Sequence, residues 1–143
     1  MPHAEALDQE GLAMANAQVA VFEIKRYMVI WRQLEERDFA GVLARIRGLV
    51  RCSGIGTADQ ENYRLDVYFL ADDSPVPDPQ VDVENRMGAI FMSISDIHAF
   101  VDILRNEKPI FGHLRGDNPQ WTSVTTTNEP VGTGDEDHRP GDE

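Results

Sequence analysis

The residues of this chain whose types could do chemistry are four histidines, one cysteine and a run of arginines. His98 and Asp102 stand at i, i+4. On a helix that spacing sets an imidazole beside a carboxylate, the arrangement that orients a general base or supports a metal ligand. His113 alternates with Phe111 and Arg115 and would share a strand face with them. Together with Trp121 these residues form a candidate ligand-binding set: His98, His113, Arg115 and Trp121. The plainer reading carries more weight for both histidines, a solvated helix pair for His98 and a half-exposed sheet position for His113. His3 and His138 fall in terminal segments that do not suit a preorganised site. Cys52 follows Arg51, a neighbour that favours thiolate. Alternation nevertheless turns it inward with Ile46 and Val50, where a thiol is inert.

Other chemistries leave no trace. HExxH, paired Cys/His spacing and the DxDxDG calcium loop are all missing. Gly54-Ile55-Gly56 is GxG without the third glycine or the helix of a dinucleotide fingerprint, and neither a P-loop nor a GxSxG elbow occurs. The acids Asp72, Asp73, Asp78, Asp82 and Glu84 read as solvated charge on a proline-rich loop. No catalytic set, cofactor or metal is expected. The single cysteine excludes an intrachain disulfide.

Positive charge is concentrated in one place. Residues 25–51 hold Lys25, Arg26, Arg32, Arg37, Arg45, Arg47 and Arg51 against Glu35, Glu36 and Asp38, a local +4 in a chain of net charge −12. Arg45, Arg47, Arg51 and, further on, Arg64 mark a candidate interaction surface. Such a face with Trp31 beside it could meet single-stranded nucleic acid or phosphates, an acidic partner, or the protein's own acidic loop or tail, although plain solvated charge carries more weight.

The elements that would position these residues are read from hydrophobic period. Val19–Trp31 is rich in Val, Ile and aromatics and reads as a strand, with Phe22, Ile24, Met28 and Ile30 on one parity. Residues 39–55 are ambiguous. Phe39, Val42, Leu43, Ile46, Leu49 and Val50 follow helical spacing, whereas Ala44, Ile46, Val50 and Cys52 alternate with arginines. The favoured compromise is a short helix over 36–47 stopped by Gly48, then a strand over 49–55. Tyr63–Ala71 is the clearest strand, and residues 72–84 form a loop. Met87–Ile94 is a strand, and Ser95 caps a helix whose Ile97, Phe100, Val101 and Leu104 face a core. Ile110–Arg115 and Gln120–Thr127 make a hairpin about Gly116–Pro119, the second strand suiting a sheet edge.

That order gives an α+β fold, a mainly antiparallel sheet with two helices, ferredoxin-like with extra strands. Were 39–55 wholly extended, the alternative would be an OB-like β-barrel with one helix. Three segments are expected: an acidic N-terminal arm over 1–18, one domain over 19–127 and a disordered acidic tail over 128–143, the ends carrying −3 and, from residue 117, −6. Met1–Glu10 lacks a basic start and an apolar run, unlike a leader, and no apolar stretch suits a bilayer, so the cytoplasm is the default compartment.

With no catalytic constellation, a non-enzymatic protein-interaction or assembly module ranks first, its partner another protein or a second copy. A small-ligand-binding domain or minor enzyme ranks second. Single-stranded nucleic-acid binding through the basic face ranks third, because the acidity of the whole chain opposes it.

Overall fold

The computed structural model describes residues 18–128. The expected arm and tail, apart from Gln18 and Asn128, lie outside the described residues. The described residues form seven strands and one α-helix: β1 (Val19–Phe39), β2 (Val42–Gly56), β3 (Asn62–Leu70), β4 (Gln80–Asp82), β5 (Met87–Ser93), α1 (Ile97–Asn106), β6 (Phe111–Arg115) and β7 (Ser123–Thr125). They make one sheet in the order β4-β5-β3-β2-β1-β6-β7. All neighbours are antiparallel except β3 and β5, which run parallel.

This corrects the two-helix, ferredoxin-like plan. The expected helix over 36–47 does not exist. β1 runs to Phe39, turns through Ala40 and Gly41, both at positive φ (51° and 92°), and returns as β2 from Val42. A two-residue hairpin loop with φ > 0 at both positions matches the twist of the strands it joins. The fold lies close to the one-helix alternative, a curved sheet with a single helix after the first strands.

The helical spacing of the sequence has a physical origin in a bulge. The β2–β3 register slips between Ile46 and Gly48, and an extra residue in one strand reverses the side-chain parity beyond it. Ile46 and Leu49 therefore share a face although they are i, i+3, and Val50 and Cys52 point to the other. The expected grouping of Ala44 and Ile46 with Val50 and Cys52 fails for the same reason. β1 behaves alike. Its register slips between Ile24 and Arg26, so Phe22 and Ile24 join the main core while Ile30 joins the opposite cluster.

A straight strand of 21 residues would span about 70 Å, far beyond a domain of this size, whose radius of gyration is about 13 Å. β1 must coil, and its irregularities after Ile24 and after Trp31 let it do so. The coil brings Phe39, at its far end, edge-on to Phe91 (4.8 Å between ring centroids) and Tyr68 (5.2 Å), across strands that are not its neighbours in the sheet. These rings, with Ala44, Ile46, Leu49 and Leu70, form a second apolar cluster on the outer face.

The main core lies on the inner face. Phe22, Val50, Cys52, Tyr63, Leu65, Val67, Phe69 and Leu114 meet Ile97, Phe100 and Leu104 of α1. Burying those three helix side chains contributes on the order of 6 kcal/mol as an upper bound. Leu114 of β6 reaches across to Gly88 of β5, its Cδ2 2.9 Å from where a Cβ there would stand. The sheet's two ends thus meet through side chains, as in a barrel closed by packing rather than by hydrogen bonds.

Three smaller expectations are corrected. Residues 72–84 are not wholly loop, because Gln80–Asp82 pairs with β5. The second hairpin strand is only Ser123–Thr125, preceded by a 3₁₀ turn over Pro119–Trp121; it does lie at the sheet edge. The helix entry is a 3₁₀ turn over Ile94–Asp96 capped by Ser93, whose hydroxyl accepts from the Ser95 N–H, so Ser93 rather than Ser95 is the cap.

Candidate functional site

The structure divides the sequence-derived ligand set. His113, Arg115 and Trp121 come together on β6 and the turn before β7. The Arg115 guanidinium lies over the Trp121 ring, 5.2 Å from its centroid, and makes a fork to Asp117 at 2.9 and 2.7 Å. Trp121 is 62% exposed. His113 Nε2 stands 2.8 Å from Thr125 Oγ1, and burial, with the Arg115 charge second, lowers its pKa. His98 is elsewhere, on α1, with its ring 6.0 Å from that of Trp31. Asp102 takes the Asn106 amide at 2.7 Å. His98 and Asp102 have other neighbours and are not held as a catalytic dyad. Cys52 is buried, and desolvation pushes its thiol up to about 12.

Nor do the arginines form an open basic face. Arg45 donates to Glu36 at 2.8 Å and to Asp73 at 3.2 Å. Asp73 belongs to the proline-rich loop, which is tied to the same strand residue by the Ser74 hydroxyl, accepting from the Arg45 N–H, and by the Ala71 N–H, donating to the Arg45 carbonyl. Arg51 makes a fork to Asp66 at 2.8 and 3.2 Å. Arg47 occupies the β2 bulge, exposed, with no ion-pair partner among the described residues.

The outer face holds the most ordered polar arrangement. Asp66 is the one buried charged residue among the described residues. Its carboxylate serves Arg51 and stands 3.5 Å from Arg64 Nε. That Arg64 N–H lacks hydrogen-bond alignment, so it is buried with no acceptor among the described residues. One strand away Arg37 donates to the Tyr68 hydroxyl at 2.9 Å, lies over the Tyr68 and Phe39 rings and holds Glu35. Sequence reasoning named Arg51 and Arg64 but missed Asp66. The alternation of Tyr63–Ala71 put Asp66 with Arg64 on the outer face, and that was the available signal.

The outer face also contains a pocket of about 320 Å³ between β1, β2, β3 and the turn into β5. It is lined by Arg26, Ser53, Asn62, Arg64, Asn85 and Arg86, with backbone at Gly54. A larger groove of about 900 Å³ runs where the sheet ends meet, between Gln18–Val21, Thr57–Asp59 and Val81–Glu84.

A further feature is the free edge of β1. β6 lies beside β1 only over Val19–Glu23, and the Ile24 N–H adds one bond to the Ile110 carbonyl. From Lys25 onward no strand of the described residues lies on that side. The regular stretch between the two irregularities, Arg26–Trp31, carries Met28 at 50% and Trp31 at 57% exposure.

No group of histidine, cysteine or carboxylate residues with metal-holding geometry occurs among the described residues. Among them no helix is long and apolar enough to cross a membrane. No family model, no curated protein and no solved structure matches the chain.

Proposed function

We propose that the protein is an assembly module that joins a second copy of itself by strand addition along the open edge of β1. One observation carries the reading: a regular six-residue stretch, Arg26–Trp31, has no strand of the described residues paired to its outer edge and is flanked by exposed apolar side chains. An unpaired row of N–H and C=O groups is a template for another strand. Natural edges are kept short or broken where pairing is unwanted, as β4 and β7 are here, each three residues long. β1 is the exception. A two-fold axis across it would pair the edge with itself, bring the two Met28 side chains near the seam on the outer face and the two Trp31 side chains near it on the helix face, and leave no new edge open.

The nucleic-acid reading loses ground, because Arg45 and Arg51 are held by Glu36, Asp73 and Asp66. The test is sedimentation velocity over a concentration series on the wild type and on Met28→Lys/Trp31→Lys. The wild type should move to a dimer with rising concentration. The double variant should stay monomeric with an unchanged far-UV spectrum. A wild type that remains monomeric throughout overturns the proposal.

A further inference from the structure

We propose that the 320 Å³ pocket of the outer face binds a phosphoryl group, carried on a small phosphate monoester. Three arginines, Arg26, Arg64 and Arg86, line one small concavity whose lining residues include no carboxylate. In a chain of net charge −12, chance placement would not favour such a cluster. Each of the three has charge to spare. Arg26 is exposed and has no ion-pair partner among the described residues. Among the described residues Arg86 is ion-paired with Glu61 alone, at a loose 3.9 Å. Arg64 is 40% exposed, and Asp66, the carboxylate 3.5 Å from its buried Nε, is shared with the Arg51 fork.

The carboxylates nearby are likewise engaged. Asp59 accepts from the Tyr63 hydroxyl at 2.7 Å and the Glu61 N–H at 3.1 Å, and Asp82 accepts from the Asn85 amide at 2.7 Å. Neither lines the pocket. Ser53 and Asn62 supply neutral donors beside the guanidiniums. Arginine is the residue for this chemistry, because its planar fork matches the oxygens of a phosphate and its charge strengthens each hydrogen bond. The volume is at the small end of ligand pockets and leaves room for a modest organic group beyond the phosphoryl oxygens.

The backbone makes the cluster rigid. The Arg64 N–H donates to the Arg86 carbonyl at 3.0 Å, joining β3 to the turn before β5, and Arg86 sits in that turn at φ 59°. Arg26 lies opposite Ser53 in the β1–β2 register, just past the slip at Ile24. Three segments distant in sequence are thereby locked into one site. The pocket needs only one chain, so it does not depend on self-association.

The experiment titrates inorganic phosphate into the full chain, following arginine Nε–Hε and backbone amide resonances by NMR, with nitrate at matched ionic strength as control. Saturable shifts at Arg26, Arg64, Arg86 and Ser53, absent with nitrate, are expected. Arg64→Gln should weaken binding about tenfold, the loss of a hydrogen bond to a charged group. Arg26→Gln, at an exposed position that leaves folding intact, should do the same. Arg105→Gln on α1 should change nothing. Shifts that rise linearly and equally with phosphate and nitrate overturn the site, as does unchanged affinity in Arg26→Gln.

Discussion

Replacing Asp66 by Asn tests whether the outer face is held by charge or merely decorated with it. The carboxylate is 6% exposed, whereas Arg51 and Arg64 are 33% and 40% exposed. Breaking a fully buried ion pair costs about 3–5 kcal/mol, because the surviving charge is left unpaired. Here the surviving guanidiniums reach water, and solvent screens part of that penalty. About 2 kcal/mol is the expected loss, which for a domain of this length lowers Tm by about 8 °C. The assay is thermal unfolding of Asp66→Asn, Arg51→Met and the double variant. Replacing both partners removes the unpaired charge, so the double variant should lose less than the sum of the singles, with a coupling of about 1.5 kcal/mol. A Tm within about 2 °C of wild type for Asp66→Asn would refute the reasoning, as would strict additivity. The same variant frees Arg64 from the carboxylate beside it, so phosphate should bind it more tightly than it binds the wild type.

Two further outcomes follow from local geometry. Gly54→Ala should abolish cooperative folding, because a Cβ there would lie 1.7 Å from the Glu23 carbonyl oxygen; a sharp near-wild-type unfolding transition would show that β1 can move away from β2 at the slip. His113 should make stability fall on mild acidification. Its folded pKa is depressed by burial and by Arg115. As pH falls through about 6.5 the unfolded chain takes up the proton first, so stability declines there, and it levels off below the folded value. Chemical denaturation of wild type and His113→Gln between about pH 7.5 and 5 should show a steeper decline in the wild type, and parallel curves would contradict it.

Much of the fold was legible in period two. Tyr63–Ala71 alternates without interruption and is almost wholly strand, and the amphipathic run after Ser95 is the helix. The error over 36–47 arose because a β-bulge and a hairpin both imitate helical spacing. Ile46 and Leu49 share a face across the slip at Gly48, and Phe39 faces Val42 across a two-residue turn. No period analysis of one chain separates these cases, since both place apolar residues three apart. Ala40-Gly41 was the local clue, yet Ala is a poor advertisement for positive φ.

The same slips explain why the candidate sites were only half visible. Arg26, Arg64 and Arg86 are separated by 38 and 22 residues in sequence, and nothing in that spacing suggests a common pocket. They converge because β1 changes parity after Ile24, which turns Arg26 to the outer face, where β3 already presents Arg64. A regular β1 would have placed Arg26 on the core side with Phe22 and Ile24, where an unpaired guanidinium is costly. Irregular pairing is therefore what reconciles the arginine-rich sequence with a packed core, and it leaves two outward features behind. One is the open edge between the slips, and the other is the pocket beside the first of them. Deleting Lys25, the residue that the slip leaves without a partner on β2, would let the Ile24–Gly54 and Arg26–Ser53 pairs follow one another directly and keep Arg26 on the outer face, so a folded variant should still bind phosphate, and a folded variant that had lost phosphate binding would contradict this account of the pocket.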